Sequence, residues 1–99
     1  MFLSDIICYR DENENAIVEG IDHSIKYYPG DFEWGYGGAC PANLAYAILV
    51  QHLDSDEVKK LFQAFKWDVL AKLPVGGGLI KRTDIMAWVA NHRKYDKTR

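Results

Sequence analysis

The chain has 99 residues, nearly half of them apolar, with 13% aromatic, 26% charged and a net charge of −2, a balance that excludes disordered and collagen-like classes. Its longest unbroken apolar run, Leu44 to Val50, falls far short of the ~20 residues of a spanning helix, which excludes a transmembrane segment. The charge is uneven: residues 1–57 carry eleven acids against Arg10 and Lys26 (−9), and residues 58–99 carry ten bases against Asp68, Asp84 and Asp96 (+7). Either the halves attract each other on folding, or the second half offers a basic surface to an acidic partner.

Met1 to Arg10 has Asp5 inside its apolar stretch, no basic lead and no small-residue cleavage pattern. The expectation is an intracellular protein without a signal peptide. Phe2 to Tyr9 reads as a first strand, the polar cluster Asp11 to Asn15 as a turn, and Ala16 to Val18 as a second strand. Beyond Glu19-Gly20, Ile21, His23, Ile25 and Tyr27 alternate with Asp22, Ser24, Lys26 and Tyr28, which predicts a third strand and an antiparallel meander. Pro29-Gly30 ends it.

Asp31 to Gly38 interleaves Phe32, Trp34 and Tyr36 with Gly35, Gly37 and Gly38. The rings favour burial and the glycines permit close backbone approach, so an ordered loop is expected here. Pro41 suits the first turn of a helix over Asn43 to Leu53, whose apolar residues lie on all sides and predict a central position. Asp54 or Ser55 then caps a helix with the stripe Val58, Leu61, Phe62, Phe65, Val69, Leu70 and Leu73, ended by Pro74. Trp67, flanked by Ala64 and Ala71, falls on the opposite side and requires cover, from the Phe32 to Tyr36 loop or from a second copy of the chain. After Gly76-Gly77-Gly78 and a short apolar pair Leu79-Ile80, Thr83 caps a last helix through His92, and Arg93 to Arg99 reads as a frayed basic tail. The fold class is α+β, a single domain over 1–92 with an N-terminal three-stranded meander packed on about three helices.

Candidate chemistry is sparse. Gly35-x-Gly37-Gly38 before a helix has the form of a phosphate cradle, but Gly-Lys-Ser/Thr is absent, Pro41 removes a donor and Asp31 and Glu33 lie close. A structural loop is the preferred reading. Cys40, near the start of a helix, is placed to become a nucleophile, yet none of His23, His52 and His92 lies near it in sequence. Asp31 and Glu33 share a side in extended backbone and would suit acid–base work or a hard cation, or bonds to nearby backbone N–H groups. Cys8 and Cys40 are expected to be reduced thiols, and the scattered cysteines and histidines lack metal-ligand spacing, so neither metal nor cofactor is expected. For nucleic acid the candidates are Lys81, Arg82, Arg93, Lys94, Lys97 and Arg99, outside any recognised motif.

Phe32-Glu33-Trp34-Gly35-Tyr36-Gly37-Gly38, Pro41-Ala42, Gln63-Ala64-Phe65-Lys66-Trp67 and Leu73-Pro74 together resemble an uncharacterised domain family of phages, bacteria and archaeal viruses. The resemblance spans roughly residues 16 to 90 and implies a viral origin in a hot, acid-loving host, with the host cytoplasm as the setting and no known activity. Relatives carry Ser-Gly where this chain has Ala39-Cys40, which counts against Cys40 as a family nucleophile. The leading reading is a non-enzymatic interaction module, binding a protein partner or itself, with Trp67, Ala64, Ala71, Phe32, Trp34 and Tyr36 as candidates. A nucleic-acid-associated factor and a small hydrolase using Cys40 or the Asp31 and Glu33 pair are the alternatives.

Overall fold

The structure is a computed structural model that describes residues 4–97, with side chains described through Arg93. Strands β1 (Ile6–Arg10), β2 (Ala16–Glu19) and β3 (Gly77–Ile80) form an antiparallel sheet in the order β2-β1-β3, and helices α1 (Ala39–Leu49), α2 (Ser55–Phe65) and α3 (Arg82–Lys97) complete an α+β fold. Phe2 and Leu3, expected in the first strand, lie outside the described residues.

The β1–β2 turn is tied by Asp11, whose Oδ1 accepts from the backbone N–H of Asn13 and of Asn15, both at 2.9 Å. Those bonds hold its carboxyl below the ordinary range, the Asn15 backbone bond contributing most. The pleat then sorts side chains by face: Ile6, Cys8, Val18 and Ile80 point into the core, whereas Ile7, Tyr9 and Leu79 are exposed on the outer side.

The third strand differs from the expected one. Ile21 to Tyr28 alternates as a strand should, but its backbone donors go elsewhere. Ile25 N–H bonds to the Asp22 carbonyl, Ser24 N–H bonds to the Asp22 side chain, and Tyr27 and Tyr28 N–H both donate to Oδ1 of the buried Asn43, at 3.0 and 2.7 Å. With those donors taken, the segment has no ladder to offer. The free edge of β1 is filled by Gly77–Ile80, where Cys8 faces Gly78 and Tyr9 faces Gly77. Gly77 has φ +110°, and any Cβ there would run into the Cys8 carbonyl, so the pairing requires glycine.

α1 is apolar on all sides and packs against α2 and the turn that follows it, with Leu44, Ala45, Ile48 and Leu49 inaccessible to solvent. α2 starts as expected, the Asp54 side chain accepting from Glu57 N–H at 3.0 Å with Asp56 and Glu57 in the first turn. It does not run on as one α-helix to Leu73. A π-helical turn occupies Lys66–Leu70, closed by the bond from Ala71 N–H to the Lys66 carbonyl at 2.8 Å. The widened turn carries Leu70 fully into the core and leaves Val69 half-buried. At α3 the first N–H, of Arg82, is capped by the Asp5 carboxylate at 2.7 Å, from the other end of the chain, rather than by Thr83. The helix continues through Lys97, beyond the expected end at His92.

Candidate interaction face

The aromatic loop is fastened at three points. Trp34, 1% exposed, donates from Nε1 to the Val75 carbonyl at 2.9 Å, and Arg10 lies over its ring at 4.4 Å. The same guanidinium bonds Glu33 at 2.9 Å through Nη1 and the Val75 carbonyl at 3.0 Å through Nε. Gly35, at φ +89°, sends its N–H to the Leu70 carbonyl at 2.8 Å. Phe32 is also buried, so Phe32 and Trp34 anchor the loop to the core.

Two rings remain outside. Trp67 is 55% exposed and Tyr36 50%. Gly37 and Gly38 seat them in turn: a Cβ on Gly37 would collide with the six-membered ring of Trp67, and one on Gly38 would collide with the ring of Tyr36. The loop therefore covers Trp67 with backbone and leaves over half of it in solvent. Lys66 lies over the Trp67 ring at 4.6 Å, and Ala64 and Ala71 beside it are half-buried. Partial desolvation, with Cys40 and Glu33 nearby, pushes the Tyr36 hydroxyl above its ordinary pKa.

A family of unknown function, DUF6166, has a model that matches residues 4–91. The chain belongs to that family. No curated protein and no solved structure matches the chain. The family description states no activity and no origin.

The remaining candidates are dispersed. Cys40 is a half-buried free thiol in the first turn of α1. Among the described residues His23 bonds the Val18 carbonyl, His92 bonds the Trp88 carbonyl, and His52 lines a groove with Met86, Val89, Ala90 and Arg93. Cys8 is buried in β1, and burial pushes its thiol up to about 12, against a smaller opposing pull from Arg10. Glu33 is engaged by Arg10, whereas the Asp31 carboxylate stands in solvent 3.8 Å from Lys26, though both line a cavity of about 380 Å³ beside His23. Among the described residues no group of three or more His, Cys, Asp or Glu side chains is placed to hold a metal ion. Nor is any helix there long and apolar enough to cross a membrane. Of the basic candidates, Lys81 is exposed, Arg93 pairs with Glu57 at 3.0 Å, and Arg82 contacts Met86 Sδ at 3.4 Å. Arg99 lies outside the described residues, as do the side chains of Lys94 and Lys97.

Three arrangements escape sequence reasoning. Arg10 gives no local sign that it clamps Glu33, Trp34 and Val75, because the contact spans up to 65 positions. Asp68 accepts from Trp88 Nε1 at 2.9 Å and faces His92 Nε2 at 3.5 Å, with the His92 ring stacked on Trp88, a cluster that joins the π turn to α3. Lys66, only 7% exposed, did have a signal: Val58, Phe62, Lys66 and Leu70 follow one another at four-residue steps, which places a lysine in the apolar row.

Proposed function

We propose that the protein is a non-enzymatic interaction module, of viral origin as the resemblance implies, that engages a protein partner through the face built by Trp67 and Tyr36. The observation that carries this reading is the half-exposed Trp67 seated on a glycine ledge. A large ring held in place before binding loses little conformational freedom on contact, and tryptophan and tyrosine are favoured at the centres of interfaces. The π turn that carries it supports the same reading, since such widenings recur at functional sites and persist at some cost in helix geometry. Ala64 and Ala71 at its flanks let a partner surface approach closely.

The test is Trp67→Asp, followed by sedimentation velocity over a concentration series and by photo-crosslinking in cells from a probe placed at Tyr36. Far-UV circular dichroism establishes that the variant is folded. Loss of self-association, or loss of a defined crosslinked partner, supports the reading. A folded variant with wild-type association and crosslinks overturns it.

A further inference from the structure

Beside the aromatic face lies a cavity of about 210 Å³ lined by Tyr28, Gly37, Gly38, Ala39, Ala42, Gln63 and Lys66. Lys66 is the one charged side chain in that lining. Lys66 is 7% exposed, and none of the ion pairs among the described residues includes it. Its oxygen contact there is the Gly37 carbonyl at 3.5 Å, beyond the usual 2.7–3.2 Å of an N–H···O bond. The Trp67 ring at 4.6 Å supplies partial compensation on one side only. An ammonium has three donors, and the single long contact to Gly37 leaves donors of Lys66 free for a ligand oxygen.

The neighbouring groups add donors. The Tyr28 oxygen accepts from Gln63 Nε2 at 3.0 Å, which leaves the phenol proton to donate. α1 begins at the same cavity, with no side-chain cap and no acid in its first turn; Pro41 has no N–H and the Ala42 N–H bonds the Gly38 carbonyl, so the N–H groups of Ala39 and Cys40 and the positive end of the dipole are what remain to meet an anion. No carboxylate is among the lining residues.

We infer that this cavity binds a small oxyanion, a phosphate or a carboxylate group, held by Lys66, the Tyr28 hydroxyl and the backbone N–H groups of Ala39 and Cys40 at the start of α1. The buried lysine carries the argument, and the helix start gives the anion its second contact. The inference stands on a different observation from the aromatic face, and it reopens the Gly35-x-Gly37-Gly38 loop as an anion cradle of which Lys66, distant in sequence, is the missing cation.

The experiment is a titration of ¹⁵N-labelled protein with sodium phosphate and, separately, sodium acetate, with sodium chloride as the ionic-strength control. Saturable shifts at the Gly38, Ala39 and Cys40 amides are expected, and the stronger of the two arms identifies which oxyanion the cavity prefers. Lys66→Met, which keeps the stem and removes the charge, should weaken binding about tenfold or more, and Tyr28→Phe should weaken it severalfold. If Lys66→Met fails to fold, Tyr28→Phe carries the comparison. The proposal is overturned by equal responses to chloride, by the absence of saturation in both arms, or by unchanged binding in the folded variants.

Discussion

Gly76 and Gly77 are adjacent in sequence and should respond in opposite ways to the same substitution. At Gly77 a Cβ would overlap the Cys8 carbonyl on the neighbouring strand, and φ is +110°. An L-residue in that left-handed region costs ~1–2 kcal/mol, and relieving the backbone overlap means shifting β3 off β1, so Gly77→Ala should cost about 3 kcal/mol in all. At Gly76 an added Cβ meets nothing within 4 Å. Gly76→Ala should therefore be neutral, or stabilising by up to ~1 kcal/mol through the lowered entropy of the unfolded chain. Urea unfolding followed by far-UV circular dichroism measures both, and with m of ~1–3 kcal/mol/M the two midpoints should lie about 1 M or more apart. If Gly77→Ala unfolds within ~0.5 kcal/mol of wild type, the β1–β3 register is wrong and the sheet order falls with it.

Trp34→Phe keeps a ring in the core but loses the bond to the Val75 carbonyl and weakens the stack under Arg10, for an expected cost of ~2–3 kcal/mol by chemical denaturation. Combined with Arg10→Met the losses should be less than additive, and strict additivity would mean that the two side chains do not act as one clamp. The Cys8 thiol, pushed up to about 12 by burial, should resist an uncharged alkylating reagent near neutral pH until the protein unfolds, while the half-buried Cys40 reacts first. Mass spectrometry of the time course gives the order, and rapid labelling of Cys8 would contradict its placement. Burial, and secondarily Arg82, lowers the pKa of His52 below its ordinary 6.5. The unfolded chain then takes up a proton more readily than the folded one, so this group's contribution to stability is full above 6.5 and declines as the pH falls below it. Urea midpoints across that range should fall toward acid, less steeply in His52→Gln, and an equal slope in the two proteins would remove His52 as the source.

Local signals were reliable where local chemistry decides the conformation. The Asp54 cap, the acids after it and the all-round apolar surface of α1 depend on residues within a turn or two of each other, and the structure has them as read. The third strand could not be found that way. Ile21 to Tyr28 has a strand's alternation, but Asn43 takes its Tyr27 and Tyr28 donors from a helix fifteen and sixteen positions away. The true strand, Gly77–Ile80, is half glycine and carries almost no pattern, because its value lies in fitting against the β1 backbone. The cap of α3 was misread for a related reason, since Asp5 reaches Arg82 across 77 positions while Thr83 stands in sequence where a cap belongs. At the candidate sites, the glycine spacing was visible and Lys66 lay in a legible apolar row, but their meeting depends on the π turn, for which the helical periodicity gave no warning.

The aromatic loop joins parts of the molecule that are otherwise separate. Trp34 and Arg10 hold the Val75 carbonyl just ahead of β3, Gly35 holds the Leu70 carbonyl at the end of the π turn, and Gly37 meets the ring of Trp67. The sheet edge, the widened turn and the exposed tryptophan are thus positioned by one stretch of eight residues, Asp31 to Gly38. Each link has a backbone group on at least one side, and at Gly35 and Gly37 it is the absence of a side chain that lets the loop come close enough to make it. Trp67 is therefore presented by a braced surface and not by a free helix end, and beside it lies the cavity lined by Lys66, which forms none of the ion pairs among the described residues. A flexible loop would pay ordering entropy to present either feature, whereas this one has already paid it in folding.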